Sequence, residues 1–209
     1  MVYLPQHFKE ERPSELAAFM AQHPFATVVT AGADGPVASH LPLLYDEARL
    51  VLVGHVAKPN PQVEHLRAGV TALAIFHGPH AYVSPRWYEV HPAVPTWNYA
   101  AVHATGRVAS FDDPERLAEV VRRLSDVFEA GAAAPWRAAD LPEPYFRGML
   151  KGIVGFELAI ERLEGKFKLS QNRQERDRAR VAEALGASED PGDRAVAALM
   201  RRREPVLSG

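Results

Sequence analysis

Four short stretches combine side chains that could hold a ligand. In Gly54-His55-Val56-Ala57-Lys58-Pro59-Asn60-Pro61 a strand-like run ends, a lysine follows, and a helix-like run begins. A cation beside the free N–H groups of a helix start suits a phosphate. The same residues also fit a surface lysine before a proline-rich turn. In Gly165-Lys166-Phe167-Lys168-Leu169-Ser170-Gln171-Asn172-Arg173, an extended backbone turns Lys166, Lys168 and Ser170 to one face. Gln171, Asn172 and Arg173 add amide and guanidinium donors of the kind a phosphate or a flavin edge needs. A solvated edge strand guarded by lysines fits equally well. Trp97, Asn98 and Tyr99, inside Val94-Pro95-Thr96-Trp97-Asn98-Tyr99, could wall and bond a planar ligand, or pack at a strand start. In Ser39-His40-Leu41-Pro42-Leu43, the proline leaves a ladder one donor short and exposes backbone, at an edge or a bulge.

Other chemistries find little support. There are no cysteines, so disulfides, thiol nucleophiles and cysteine-ligated zinc are excluded. His77-Gly78-Pro79-His80 and the histidines at 40, 55 and 103 show no recognised metal spacing, and no metal is expected. Glycine-rich phosphate loops, the GxSxG elbow and HExxH are missing. Net charge is −2 over 209 residues, against the basic balance of a nonspecific DNA binder. Arg201-Arg202-Arg203 is a short cationic run that suits a helix end. The N-terminal residues do not form a signal peptide, and no 18-residue apolar run exists, so a cytoplasmic protein is expected.

The elements that must carry these residues follow from pattern. Pro13-Ser14-Glu15 opens a helix with Ser14 as its cap, ended by Pro24. Two strands flank a turn at Ala33-Asp34-Gly35. A third strand covers Arg49–Ala57, and a helix runs from Asn60 to Arg67. A fourth strand, Gly69–His77, and a short fifth, Ala81–Pro85, precede a long strand over Trp97–Phe111. Asp112-Asp113-Pro114-Glu115 starts a helix whose Leu117, Val120, Val121, Leu124, Val127 and Phe128 recur at 3.6 residues, stopped by Gly131. A proline-rich connection leads to a final strand or strand pair over Gly152–Ser170. Two helices, separated by Asp190-Pro191-Gly192, close the chain. The strands follow one another through turns instead of alternating with helices. The expectation is an α+β fold, mainly β: a six-stranded antiparallel barrel with peripheral helices over residues 1–172, then a charged helical extension over 173–209.

Several of these segments, among them SHLPLL, GHVAKPNP, IFHGPHAYVSPRWY, VPTWNYAAVHATG and IVGFELAIERLEGKFKLSQNR, resemble the PaiB-type FMN-binding negative transcriptional regulators. The resemblance runs from residue 1 to about 185. It implies an FMN-binding split barrel, related to pyridoxamine-phosphate oxidases and flavin reductases, that works as a homodimer with the flavin at the subunit interface. Lys58 stands where related folds place a lysine on the FMN phosphate. The expected cofactor-binding set is His40, Leu41, His55, Lys58, Asn60, Trp97, Asn98, Lys166, Lys168, Ser170, Gln171, Asn172 and Arg173. DNA or another protein would be the regulator's further partner. A flavin-dependent oxidoreductase or reductase using NAD(P)H is the alternative, because fold does not settle function. A dimer that no longer binds flavin is a third reading.

Overall fold

The computed structural model describes residues 2–33 and 35–202. In chain order its regular elements are β1 (Lys9–Glu10), α1 (Pro13–Gln22), β2 (Phe25–Gly32), β3 (Gly35–Pro42), β4 (Leu44–Asp46), β5 (Val51–Ala57), α2 (Gln62–Arg67), β6 (Thr71–Val83), β7 (Thr96–Phe111), α3 (Pro114–Glu129), α4 (Glu143–Leu150), β8 (Ile153–Lys168), α5 (Glu175–Gly186) and α6 (Pro191–Arg202). Eight strands form one sheet in the order β3-β2-β6-β7-β8-β5-β4, with β1 on β8; every ladder with a defined register is antiparallel. This is a mixed α/β fold with six α-helices among the described residues.

The expected six-stranded split barrel needs correction. Six strands are long; β1 and β4, of two and three residues, bring the total to eight. They are too short to show an alternating pattern. The ladder path is open at β3 and β4. These two edges are consecutive in the chain, meeting at Leu43, whose N–H bonds Pro24 O at 2.9 Å. Pro42, just before, brings no N–H of its own.

The chain divides into two compact units: Met20–Phe76 with Ala104–Leu163, and Met1–Phe19 with His77–His103 and Glu164–Gly209, as far as these are described. The first unit holds the β2–β3 hairpin, where Gly32 faces Gly35. Gly35 sits at φ +102°, open to glycine without strain. Asp34 of the expected turn lies outside the described residues. Along β2, Ala26, Val28 and Thr30 are buried in alternation, the period of a strand with one face inward. Strand β5 is buried almost throughout and pairs with β8 from Val51↔Ala159 to Ala57↔Ile153. Against it α3 lays Leu117, Val120 and Leu124, and α4 adds Phe146 and Leu150. Asp113 caps α3, its Oδ1 accepting Arg116 N–H at 2.8 Å. At Gly106 a Cβ would lie 1.7 Å from Ala159 O, so only glycine allows the β7–β8 approach.

In the second unit, α5 and α6 pack together through Val181, Leu185, Val196, Ala197 and Met200. Pro13 is the first residue of α1, so Ser14 lies inside the helix and is not its cap. His77-Gly78-Pro79-His80, expected as a turn between two strands, runs straight through β6. Helix α4 was not anticipated: Pro142 is its N-cap and Pro144 lies in its first turn, where proline is tolerated. Arg203 lies outside the described residues.

Candidate functional site

In the unit built on β5, Lys58 begins the turn that joins β5 to α2, its backbone N–H bonded to Gly152 O at 2.9 Å. It lines a cleft of about 300 Å³ with Asp112, Arg147, Lys151 and the start of α3 at Pro114. Two of the four charged groups are already neutralised. Asp112 pairs with Arg67 at 3.2 Å, and Arg147 pairs with Glu115 at 2.5 Å and Glu143 at 2.7 Å. The ammonium groups of Lys58 and Lys151 have no ion pair or hydrogen bond among the described residues. Two cations without a carboxylate partner could meet an anion such as a phosphate, while the start of α3 beside them is already capped by Asp113.

The rest of that region holds the turn. Asn60 donates from Nδ2 to Ser39 Oγ at 2.8 Å and accepts Gln62 N–H at 2.9 Å. Gln62 is fully buried; its amide donates toward Val28 O, Thr30 Oγ1 and Val37 O at 3.0, 3.1 and 3.2 Å. It pins α2 to β2 and β3, and its own Oε1 has no partner. Leu41 is buried, lying with Leu43 against Gly54, while His40 is exposed on β3. His55 Nδ1 is buried without a partner, and burial lowers its pKa below the ordinary 6.5.

In the other unit, the end of β8 is arranged differently. Lys166 is buried, donates to Tyr3 O at 2.7 Å, and sits over the rings of Tyr3 and Tyr99 at 5.1 and 5.5 Å. Lys168 donates to Trp97 O and Thr96 Oγ1. Its burial, then the cations Lys166 and Arg173, lower its pKa below 10.5. Ser170 occupies the left-handed region at φ +64°, unusual for a residue with a side chain. It is held there by Asn98, fully buried, which donates to Ser170 Oγ at 2.9 Å and accepts from it at 3.2 Å. Gln171 folds back, Oε1 accepting Leu169 N–H at 2.6 Å and Nε2 donating to Phe167 O at 2.5 Å. Asn172 is exposed, and Arg173 lies 4.4 Å over the Tyr88 ring. Lys166, Lys168, Ser170, Asn98 and Trp97 are thus brought together. Asn98, Ser170 and Gln171 spend their polar groups on one another, on backbone or, for Asn98, on Met200 Sδ at 3.5 Å.

A second cavity in this unit, about 430 Å³, is lined by His77, His80, Trp97, Tyr99, His103 and Lys166, with Val2, Gly78, Ala100 and Ala101. Trp97 is 52% exposed and faces His80 and Tyr82 across centroid distances of 6.1 and 6.0 Å. His103 Nδ1 is buried without a partner, and desolvation chiefly lowers its pKa. Sequence reasoning missed Lys151, Arg147, Gln62 and the grouping of Tyr99 with the three histidines. Lys151 and Arg147 came with the unforeseen α4. A glutamine inside a helix carries no signal of burial.

Known proteins fix the lineage. Residues 2–162 match the family profile described as "Putative FMN-binding domain". The chain is 38% identical over 201 residues to "Protease synthase and sporulation protein PAI 2" of Bacillus subtilis, covering 95% of this chain and 96% of that protein. It is 31% identical to the uncharacterized protein AN0679 of Emericella nidulans, with 97% of each covered. Among solved structures, the FAD and heme binding protein of Mycobacterium smegmatis superposes with a TM-score of 0.60 at 19% identity, over 77% of this chain and 73% of that one. The flavocytochrome Anf3 of Azotobacter vinelandii gives 0.60 at 16%, over 82% and 75%. At such identities these two show the fold alone. The profile covers well over half of the chain and the PAI 2 likeness nearly all of it, so this protein belongs to the FMN-binding-domain family that includes PAI 2.

Proposed function

We propose that this protein is a PaiB-type regulator: a split-barrel homodimer that binds FMN at the subunit interface and represses transcription in response to the flavin's state. The observation that carries the reading is the cleft in which Lys58 and Lys151 lie unpaired beside the start of α3. Its donor set fits the FMN phosphate, which needs cations not already spent on carboxylates. Lys58 would take the phosphate, with Lys151 as its neighbour. The end of β8 would serve the ring: Lys168, Asn172 and Arg173 offer donors, Trp97 an aromatic face, and Asn98, Ser170 and Gln171 hold the backbone that presents them. His40, Leu41, His55 and Asn60 would flank the phosphate turn, and Lys166 would add positive charge on the ring side. When bound, the flavin supplies reversible electron transfer, while the protein binds and orients it. Residues 173–209, of which 173–202 are described and carry α5 and α6, would be an extension to the flavin domain. The regulator would work in the cytoplasm; among the described residues no helix is long and apolar enough to cross a membrane.

The test starts with the purified protein's visible spectrum and its mass in solution. A flavin spectrum at one FMN per chain in a dimer is expected. Lys58→Ala should then weaken FMN by about tenfold or more while leaving riboflavin, which lacks the phosphate, nearly unchanged, since loss of one charge-assisted bond is worth about 1.5–3 kcal/mol. Equal losses for both ligands reject Lys58 as the phosphate anchor. An oxidoreductase would instead turn over NAD(P)H steadily with an added acceptor.

A further inference from the structure

The turn that carries Lys58 is tied down more firmly than an exposed lysine needs. We propose that Ser39, Asn60 and Gln62 are positioning residues for the phosphate: they hold the Lys58 turn in its binding shape and touch no ligand themselves. The proposal rests on the reading of Lys58 as the phosphate anchor. The chain at this point runs Lys58-Pro59-Asn60-Pro61. Each proline fixes its own φ and keeps the residue before it away from the helical region, so Lys58 and Asn60 start with little backbone freedom. Bonds from other elements remove more. Lys58 N–H is held by Gly152 O at 2.9 Å, one residue after Lys151, which ties the backbones of the two lysines together. Asn60 is bonded at four points: its N–H to Ala57 O at 2.9 Å, its C=O to Val63 N–H at 3.0 Å, its Oδ1 to Gln62 N–H at 2.9 Å and its Nδ2 to Ser39 Oγ at 2.8 Å. The first three bonds are internal to the turn and the start of α2; only the fourth reaches another element. Ser39 stands opposite Val28 in the β2–β3 ladder, and Val28 O accepts the Gln62 amide at 3.0 Å. Asn60 and Gln62 therefore grip the same rung of that ladder, two residues apart in the chain. A lysine on a turn held in this way loses less freedom on meeting an anion, so the grip acts on affinity through Lys58. Ser39 is its outermost member, and it stands on β3, away from the lysine in sequence.

The test is the ratio of riboflavin to FMN dissociation constants, which isolates what the phosphate contributes. The full chain, dialysed free of flavin, is titrated with each ligand by flavin fluorescence, and circular dichroism checks that every variant folds. Ser39→Ala removes the anchor of Asn60 and should lower the ratio by about threefold or more, through FMN alone, as expected for one lost hydrogen bond. Ser39→Thr keeps the hydroxyl and should restore the parent ratio. Because Ser39 acts through Lys58, Ser39→Ala should cost no further FMN affinity once Lys58→Ala is present. A merely structural bond would loosen both flavins alike, and that result overturns the proposal. So does an additive loss in the double variant, since Ser39 would then meet the phosphate directly. A ratio lowered by Lys58→Ala but untouched by Ser39→Ala defeats this proposal and leaves the phosphate reading standing. A ratio that Lys58→Ala leaves unchanged, or a chain that binds neither flavin, defeats the phosphate reading and this proposal with it.

Discussion

Lys58 and Lys151 in one unit, and Lys166 and Lys168 in the other, are the same side chain in opposite circumstances. The first pair lines a cleft whose other charges, Asp112 and Arg147, are matched by Arg67, Glu115 and Glu143, and its own charges meet no acceptor among the described residues. The second pair is committed: Lys166 to Tyr3 O, Lys168 to Thr96 and Trp97 O. A solvated, unpaired cation costs nothing to keep and gains on meeting an anion. A buried cation must be bonded at once or it destabilises the fold. The two lysine pairs therefore do different work. One is left free to meet an anion; the other is bound into its own unit. The same division separates Asn172, exposed and available, from Asn98, buried and fully engaged with Ser170.

The sharpest way to break this comparison is at Asn98. Asn98→Leu keeps the branched outline of the side chain but leaves Ser170 Oγ buried without its partner at a left-handed backbone position. A loss of about 1–3 kcal/mol in denaturant-melt stability is expected; a variant as stable as the parent would show that the clasp holds nothing. A smaller effect concerns the two buried histidines, His55 in one unit and His103 in the other. Burial depresses both pKa values below 6.5, so the unfolded chain binds more protons than the folded one. Their contribution to stability is present above pH 6.5 and falls away as pH drops from there through the folded values. Replacing both with phenylalanine should flatten that acid-side slope in thermal melts; an unchanged slope would assign it to other groups. The smallest expected effect is the most telling for the lysines. Lys58→Ala combined with Lys151→Ala should leave stability within about 0.5 kcal/mol of the parent, as for exposed positions without partners. A large loss would mean that the pair is structural after all.

Much of the fold was legible because its signals are local. The β2–β3 hairpin followed from a glycine-containing turn between alternating runs, and α3 from its Asp113 cap and 3.6-residue stripe. The two C-terminal helices followed from the break at Asp190-Pro191-Gly192. Other elements were invisible for equally physical reasons. Gly78 and Pro79 read as a turn, yet they sit in β6, where the Phe19 ring comes so close that a Cβ on Gly78 would stand 2.6 Å from it. That packing partner is far away in sequence. Two-residue β1 exists only because β8 offers it an edge.

For the candidate site, the sequence determined which residues could bind: the lysine after β5 and the dense polar run after β8 stand out by type and spacing alone. Tertiary structure decided which of them are free to do so. It gave Lys58 the neighbour Lys151 in a cleft, turned Asn98 and Ser170 upon each other, and gathered three histidines, two aromatic rings and a lysine around one cavity. Availability depends on whether a partner stands within about 3 Å. That distance is set by the meeting of segments scores of residues apart, which no local pattern records.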